Sequence, residues 1–433
     1  MEQFFHRDLL DELKKWLDRR EIYAIKGPRQ SGKTTLLKML RNYLIQENEI
    51  NSKNIIFLTF EDRDILEKFS SDPKEYIHSF IPTSRRDQRF YFLIDEFQYL
   101  PDGGQKLKLL YDIFENIKFI ITGSSSLELT GKTGKFLVGR VFSFYLYQLS
   151  FREFIRVRSE QLSNVYKEKS NLVKRFLTEG EDFHIRKDIF GRDFERYFEE
   201  YVLFGGYPEV VKTPDLETKQ VILKNIYETY INRDIIELLK ITDITKFRTI
   251  LGLLANQLGN LINYNNLATD SQSYFEQIKH YLSILEETFI IGLIKPFFTN
   301  KTTELKKNPK VYFIDMGFRN HILHNFNALD LRPDKGKIVE NSIFTQLKIS
   351  EVSSLKYWRT LAKAEVDFII EVNGKLVPIE VKYSQFKIPK ISRSYRNFLL
   401  QYHPEKALVL TKDFWGELTV DQTVVKFVPI WYL

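Results

Sequence analysis

The first third of the chain alternates short apolar runs with segments that are apolar along one side only. Helical patterns of the second kind cover Thr34–Glu47 and Lys106–Asn116. Strands that alternate with helices predict a parallel β-sheet with helices on both faces. The runs that predict its buried strands are rich in β-branched and aromatic residues: Glu21–Lys26, Asn54–Phe60, Phe90–Ile94 and Lys118–Thr122.

The pattern then changes twice. Residues 156–196 are polar and charged, which predicts a surface insertion or linker. Residues 197–298 are largely helical, and residues 263–289 within them predict a short helix, a turn and a longer helix with Ile278, Leu282 and Leu285 on one stripe. Strand-like runs return from Pro309, and a helical stretch, Ile338–Lys348, precedes most of them.

These patterns predict an α/β protein in four parts. The parts are an N-terminal domain with a parallel sheet, a polar linker, a helical domain and a C-terminal α/β domain. Their predicted bounds are residues 1–155, 156–196, 197–298 and 299–433.

Composition narrows the classes of function. With no cysteine among its 433 residues, the chain has no disulfide, zinc-thiolate site or cysteine nucleophile. A net charge of +7, from 64 basic and 57 acidic residues, permits contact with DNA or RNA but does not require it. No stretch approaches the roughly 18 apolar residues that span a bilayer, and no signal-peptide pattern opens the chain, so we expect a cytoplasmic protein.

One motif points to nucleotide chemistry. The run Gly27, Pro28, Arg29, Gln30, Ser31, Gly32, Lys33, Thr34 fits the P-loop pattern and lies between a predicted strand and a predicted helix. Its glycines let backbone N–H groups and the helix N-terminus face phosphates. Lys33 reaches the β- and γ-phosphates and is a candidate catalytic residue, Thr34 is a candidate ligand of Mg²⁺, and Thr35 extends the binding loop. The motif predicts binding of ATP or ADP with Mg²⁺.

Further polar residues follow the predicted strands. The apolar run Tyr91–Ile94 ends in two carboxylates, of which Asp95 is placed to hold Mg²⁺ and Glu96 to act as the base that polarises the attacking water. Ser124 or Ser125, after the next strand, is a candidate to bond the γ-phosphate or that water. Arg140 is a weaker candidate, because a lone arginine is usually a surface or salt-bridge residue. It would stabilise transition-state charge within its own chain or in a neighbouring subunit. Arg29, inside the P-loop itself, is another cationic candidate near the phosphates.

These segments resemble the prokaryotic AAA-type P-loop ATPase family, whose members usually carry a C-terminal domain of unknown function. The resemblance rests on GPRQSGKTTLL, FLIDEFQYLP, IITGSSSLEL, LVGRVFSFYLYQLSFREF, FGGYPEVV, INRDI, KVYFIDMGFRN and the C-terminal YWRT, AEVDFII and PIEVKYS, and it reaches about residue 410. By that resemblance Lys33, Thr34, Asp95 and Glu96 take the nucleotide roles. For the oligomeric state, the resemblance to AAA-type proteins implies a ring of subunits, while a monomer or a dimer is equally compatible with the sequence.

A second constellation lies near the C-terminus. Asp367 lies in EVDFII, and Glu380 and Lys382 lie thirteen and fifteen positions later in LVPIEVKY. This spacing matches the PD-(D/E)xK nuclease pattern, to which the family's C-terminal domain is similar. Asp367 and Glu380 would then bind Mg²⁺ while Lys382 orients a water. Glu340, on the preceding helix, is a further candidate acid. Gln385 is a weaker candidate for the glutamine or glutamate that follows the lysine in such folds. An ordinary ladder of ion pairs would give the same Glu-x-Lys spacing.

The helical segment over residues 240–295 resembles a winged helix. Lys279 and His280 fall on its second helix, where nucleic-acid contacts would be made, but Glu276, Glu286 and Glu287 on that helix would repel phosphates. We therefore favour a packing role for this helix.

Two hypotheses follow from the sequence. The first is an ATPase whose nucleotide state rearranges a nuclease-like domain acting on DNA or RNA. The second is a nucleotide-dependent switch that recruits a protein partner, with an inert C-terminal module. A P-loop phosphotransferase is disfavoured, because Asp95 and Glu96 supply a base for water and no lid-like arginine cluster is evident.

Overall fold

A computed structural model describes residues 4–82, 87–124, 137–183, 189–298, 304, 307–352 and 354–433. The chain divides into two compact units. The first comprises residues 1–148 with residues 287–289, and the second comprises residues 149–286 with residues 290–433. The four-part division drawn from the sequence stays a prediction.

The first unit is built on a five-stranded sheet in the order β2-β3-β4-β1-β5, in which every neighbouring pair is parallel. Parallel strands need crossover helices, and the helices cover both faces. The strands are β1 (Ile22–Lys26), β2 (Ile55–Thr59), β3 (Phe90–Asp95), β4 (Ile117–Gly123) and β5 (Val141–Tyr145). The helices are α1 (Asp8–Lys14), α2 (Lys33–Gln46), α3 (Arg63–Ser71), α4 (Pro73–His78) and α5 (Gly103–Ile113), with 3₁₀ turns at Ser52–Asn54 and Phe97–Tyr99.

Four of these strands confirm the sequence prediction to within one residue at each end, and β5 was missed. All residues of β1, β3 and β4 are buried and most of them are apolar, so each strand gives a clear apolar run in the sequence. Among the described strands, β5 pairs with β1 alone at the edge of the sheet, and its residues are partly exposed. An edge strand with no buried run looks like a loop in sequence.

In the second unit, a series of helices precedes the strands of the sheet along the chain. They are α6 (Phe151–Arg158), α7 (Glu160–Glu179), α8 (Gly191–Phe204), α9 (Pro208–Lys212), α10 (Leu216–Thr229), α11 (Ile244–Asn256), α12 (Tyr264–Asp270) and α13 (Phe275–Glu287). A π-helix, Tyr230–Leu238, continues α10. The short helix, turn and longer helix predicted over residues 263–289 are confirmed as α12 and α13. The predicted stripe of Ile278, Leu282 and Leu285 is buried.

The segment predicted as a polar linker contains α7, which is 20 residues long. Its buried residues are Leu162, Tyr166, Val173 and Phe176. Their spacing places them on one face, while the many charged residues occupy the others; the charge of the segment hid this narrow apolar stripe. Neither α7 nor any other helix in the described ranges is long and apolar enough to cross a membrane.

An eight-stranded mixed sheet completes the second unit, in the order β12-β13-β11-β10-β9-β8-β6-β7. Its strands are β6 (Ile291–Pro296), β7 (Lys310–Phe313), β8 (Leu355–Arg359), β9 (Glu365–Val372), β10 (Lys375–Lys382), β11 (Lys406–Thr411), β12 (Gly416–Val420) and β13 (Thr423–Pro429). The later helices are α14 (Met316–Ile322), α15 (Lys335–Ile349) and α16 (Arg393–Tyr402), with 3₁₀ turns at Leu329–Leu331 and Ile430–Tyr432. The predicted fold class, a parallel sheet followed by helices and a C-terminal α/β sheet, is confirmed.

The motif FGGYPEVV forms a close backbone contact within the second unit. Gly205 has a φ of 77°, and the Gly206 N–H donates to Asp315 Oδ2 at 2.7 Å. Asp315 also caps α14 by accepting from the Phe318 N–H at 2.9 Å. Burial raises the pKa of Asp315 to about 6, although these N–H groups favour its charged form. The two glycines therefore serve packing of α8 against α14.

We predict that Gly206→Ala lowers stability by about 1–3 kcal/mol, the range for overpacking a tight site. An added Cβ would lie 2.2 Å from the Leu149 carbonyl oxygen, and backbone cannot move aside as a side chain can. The matched control is Gly252→Ala in α11, where a Cβ would have no atom within 4 Å. That change should stabilise by about 0.5–1 kcal/mol through helix propensity. Thermal melting of both variants measures the contrast; equal melting temperatures would contradict it.

Candidate functional site

The P-loop turns sharply between β1 and α2. Gly32 has a φ of 96° and Gln30 a φ of 60°, so both adopt left-handed backbone. A Cβ on Gly27 would lie 2.0 Å from the carbonyl oxygen of Leu146, so only glycine fits where this segment crosses the loop. The Lys33 ammonium donates to the carbonyls of Gly27 at 3.0 Å and Pro28 at 2.8 Å. The turn thus holds a cation next to the N-terminus of α2, which is an arrangement suited to phosphate.

Asp95 lies at the carboxyl end of β3 and is 3% exposed. Its Oδ2 accepts a hydrogen bond from the Thr34 hydroxyl at 2.5 Å, and its Oδ1 accepts one from the hydroxyl of Thr122 in β4. The predicted pair Thr34 and Asp95 is therefore in direct contact. A hydroxyl and a carboxylate oxygen this close are hard ligands of the kind that Mg²⁺ prefers.

Glu96 follows Asp95 in left-handed backbone, with φ 54° and ψ 46°. Its N–H donates to the Thr122 hydroxyl at 3.3 Å, and its carboxylate accepts a hydrogen bond from Gln98. Ser124, directly after β4, also accepts from Gln98, at 3.1 Å. The carboxyl ends of β1, β3 and β4 thus bring together the P-loop, Glu96 and Ser124. Ser125, the alternative to Ser124, lies outside the described residues.

The two arginine candidates lie in different places. Arg29 is in the P-loop and its guanidinium contacts the Tyr99 hydroxyl at 3.5 Å. Arg140 directly precedes β5, and its carbonyl accepts from the N–H of Ile22 at the start of β1. The P-loop follows the carboxyl end of β1, whereas Arg140 lies beside its amino end. There the Arg140 side chain pairs with Asp112 at 3.0 Å. The structure therefore does not bring Arg140 to the P-loop of its own chain; a role in a neighbouring subunit stays a prediction.

In the second unit, the predicted C-terminal residues share one face of the sheet. β9 and β10 pair antiparallel, and the register ends with Ile379 opposite Phe368, so Glu380 and Asp367 are the next positions along the two strands. Lys382, two residues on, projects to the same face. Its ammonium lies 3.2 Å from Glu380 Oε1, and Asp367 Oδ2 accepts from the Val381 N–H at 2.8 Å. The three residues that the sequence grouped do converge.

A buried lysine that the sequence analysis did not single out lies in the same cluster. Lys310, in β7, is 1% exposed and lies 3.3 Å from Glu340 Oε1 and 2.5 Å from Glu365 Oε1. Glu340 also accepts from Lys337 at 2.7 Å and from the Tyr312 hydroxyl at 2.6 Å. These cations lower the pKa of Glu340 despite its burial. Glu340, a candidate acid in the sequence, is therefore committed to internal ion pairs.

The other two carboxylates are less fully paired. Glu380 Oε1 accepts from Ser392 at 2.7 Å, whereas the buried Oε2 has no hydrogen-bond partner among the described residues. Burial, with the negative charge of Glu340, raises the pKa of Asp367 to about 7. Glu380 and Asp367 raise the pKa of Lys382 against the effect of its own burial. No group of three or more His, Cys, Asp or Glu side chains in the described ranges is arranged to hold a metal ion.

The remaining candidates lie away from these clusters. Gln385 is exposed in the loop after β10. Lys279 and His280 are exposed on α13, and the Lys279 ammonium lies 3.7 Å from Glu276 on the same helix. The buried face of α13 agrees with the packing role that the sequence favoured. The sequence analysis missed Thr122, Gln98 and Lys310. Gln98 and Lys310 are polar residues next to apolar runs, and that position was the one available signal; Thr122 gave none.

Three families match consecutive parts of the chain. Residues 19–155 match the AAA domain, residues 195–329 match a domain of unknown function (DUF8612) and residues 335–433 match a second domain of unknown function (DUF4143). The match to the AAA domain covers every nucleotide candidate named above and supports a P-loop AAA-type ATPase. The function of the C-terminal part is not given by its family.

Two relatives match this chain over most of their own length. An uncharacterized protein of Haemophilus influenzae is 27% identical over 98% of this chain and 97% of its own length. An uncharacterized protein of Methanocaldococcus jannaschii is 25% identical over 95% of this chain and 87% of its own length. Among solved structures, the ADP form of the Aeropyrum pernix ORC2 protein has a TM-score of 0.34 at 15% identity, covering 66% of this chain and 85% of that one. A TM-score of this size carries no argument about function.

We predict that Asp367→Asn gains stability relative to the wild type as pH rises from 5 to 8. The pKa of Asp367 in the folded chain, about 7, lies above the ordinary value near 3.9, so the folded state binds the extra proton. Stability contributed by that proton is present below pH 4 and is lost as pH rises towards 7. Asparagine does not titrate and avoids this loss. Melting temperatures at both pH values measure the difference.

Asp215→Asn is the comparison variant. Hydrogen bonds from Thr218 lower the pKa of Asp215, so its replacement should bring no gain with rising pH. An identical trend in both variants would contradict the assignment of the effect to Asp367.

Proposed function

We propose that this chain binds ATP with Mg²⁺ at the P-loop and hydrolyses it. The observation that carries the proposal is the contact of Thr34 with Asp95 at 2.5 Å, beside Lys33 and Glu96. It joins the two motifs that P-loop hydrolases need, one that binds phosphate and one that supplies carboxylates. The match of residues 19–155 to the AAA domain supports the same proposal.

Each residue has a separate task in this proposal. Thr34 and Asp95 would hold Mg²⁺, and the cation would supply charge neutralisation at the phosphates. The loop from Gly27 to Thr35 wraps the phosphates, and Lys33 balances their charge. Glu96 accepts a proton from the attacking water, since its carboxylate follows directly on the metal-binding position. Arg29 lies in the loop and adds a second cation there.

We predict that Lys33→Ala abolishes ATP binding and that Glu96→Gln retains binding but slows hydrolysis by about 10²–10⁴-fold. The first change removes the ammonium from the phosphate turn, and the second removes the base alone. Nucleotide affinity by fluorescence titration and phosphate release under saturating ATP separate the two effects. Lys38→Ala, an exposed position one turn further along α2, is the matched control and should behave as wild type. Wild-type hydrolysis by Glu96→Gln would refute the assignment of the base.

As a second candidate function, the C-terminal cluster would cleave phosphodiester bonds of DNA or RNA with Mg²⁺. Glu380 Oε2 is a buried acceptor with no hydrogen-bond partner among the described residues, and Asp367 lies opposite it. These two carboxylates fit one Mg²⁺, and Lys382 lies close enough to orient a water. ATP hydrolysis would then control access to this site.

The competing proposal is a nucleotide-dependent switch that recruits a protein partner through an inert C-terminal module. Its support is the charge balance of the cluster. The carboxylates of Glu340 and Glu365 are already paired with Lys310, Lys337 and Arg359. A charge-balanced cluster attracts Mg²⁺ less than an acidic one, because the internal ammonium must be displaced or repelled first.

Cleavage of plasmid and single-stranded substrates, with Mg²⁺ or Mn²⁺ and with or without ATP, decides between these proposals. We predict that Lys382→Ala lowers cleavage by about 10²-fold or more, the range for loss of a group that orients or activates water. Lys375→Ala is the matched control, since Lys375 lies on the same strand in an exposed pair with Glu405. Absence of cleavage by the wild type under every condition would refute the nuclease and favour the switch.

A further inference from the structure

Gln98 is a buried glutamine that contacts both a candidate catalytic residue and the neighbouring strand end. It is 4% exposed and lies in the 3₁₀ turn Phe97–Tyr99 that follows β3. Its amide nitrogen donates one hydrogen bond to Glu96 Oε2 and a second to the Ser124 hydroxyl, at 3.1 Å. One side chain therefore links the end of β3 to the end of β4.

The position of Ser124 gives this link its significance. β4 pairs parallel with β1, and the last pair in the register is Lys26 with Gly123. The next residues are Gly27, which opens the P-loop, and Ser124. Gln98 thus fixes the carboxylate of Glu96 relative to the carboxyl ends of β1 and β4, where the P-loop begins.

Glu96 needs such a restraint. Its backbone is left-handed, a conformation that non-glycine residues adopt only when neighbouring contacts hold them. Its side chain has three rotatable bonds, and a carboxylate that is free to rotate acts poorly as a base, because proton transfer requires hydrogen-bond distance to the water. The amide of Gln98 occupies one carboxylate oxygen and so limits the orientations of the other.

The carbonyl oxygen of Gln98 is also informative. This Oε1 is buried and has no hydrogen-bond partner among the described residues. Buried polar atoms are nearly always paired with protein or with ordered water, so an unpaired acceptor beside a carboxylate indicates a place for a polar ligand. A water held between Gln98 and Glu96 would satisfy it.

From this geometry we infer that Gln98 is a positioning residue for ATP hydrolysis. Its amide nitrogen holds the carboxylate of Glu96, and its carbonyl oxygen accepts a hydrogen bond from the water that Glu96 deprotonates. The water gives its proton to Glu96 while its oxygen forms the bond to the γ-phosphorus and the bond to ADP breaks. The inference rests on the proposed ATPase function.

The test compares Gln98→Ala, Gln98→Asn and Gln98→Glu with the wild type. Gln98→Ala should lower kcat by about 10–10²-fold, the loss that follows a misplaced catalytic group, while the Kd for ATP changes less than about threefold. Gln98→Asn is one methylene shorter, so it cannot span Glu96 and Ser124 and should show a similar loss. Gln98→Glu preserves the shape but places a second carboxylate beside Glu96. The acidic limb of its kcat–pH profile should therefore shift to higher pH.

The matched control is Gln148→Ala. Gln148 belongs to the same unit, is 3% exposed, and makes no side-chain hydrogen bond to the described residues. It reproduces the loss of a buried glutamine without touching Glu96. Melting temperatures and ATP affinity establish that each variant is folded.

The outcomes separate the inference from the function on which it rests. No hydrolysis by folded, ATP-binding wild type would refute both. Hydrolysis by the wild type with an unchanged kcat in Gln98→Ala and an unshifted pH profile in Gln98→Glu would refute the positioning role alone. Equal losses of kcat in Gln98→Ala and Gln148→Ala would assign the effect to packing and would also refute it.

Discussion

The geometry of the candidate nucleotide site depends on the hydrogen bonds of one buried carboxylate. Asp95 accepts hydrogen bonds from Thr34 on α2 and from Thr122 on β4, so a single side chain links three elements of the first unit. A buried charge must be hydrogen-bonded or paired, and here neutral hydroxyls supply the partners. The position of α2, and with it the P-loop, is therefore tied to the ends of the central strands.

The acidic cluster of the second unit is held in the opposite way. The buried Lys310 brings a full positive charge between the buried Glu340 and the partly exposed Glu365. Ion pairs of this kind are stable only when every partner is kept, since removing one leaves an uncompensated buried charge. Asp95 is bonded to hydroxyl groups and can still attract a cation. The carboxylates of Glu340 and Glu365 are instead paired with ammonium and guanidinium groups. Asp367 and Glu380, the proposed Mg²⁺ ligands of the second unit, belong to this charge-balanced cluster, and Glu380 lies 3.2 Å from the Lys382 ammonium. The first site is therefore the stronger candidate for Mg²⁺ chemistry.

The sequence predicted those features that rest on short-range patterns. Strands β1 to β4 are mostly apolar, and the P-loop, Asp95 and Glu96 lie directly at strand ends, so their place in the sequence motif determined their place in the sheet. Asp367, Glu380 and Lys382 were grouped correctly because period-2 alternation fixes which side chains share a strand face. Arg140 was misplaced with respect to its own P-loop because nothing in LVGR shows that a strand, β5, begins there. Gln98, Thr122 and Lys310 were missed because their roles arise from contacts between elements far apart in sequence.

The structure also shows why the two matched families of unknown function cannot be separated. Strands β6 and β7 precede residue 330, yet they lie in the same sheet as β8 to β13. β6 pairs with β8 through Lys295 and Lys356, and Lys310 meets Glu340 and Glu365, which belong to the C-terminal family. A chain cut near residue 330 would expose the edge of β8 and leave buried charges on both fragments without partners. The family boundary therefore divides one hydrophobic core and one ion-pair cluster, and the second unit folds as a whole.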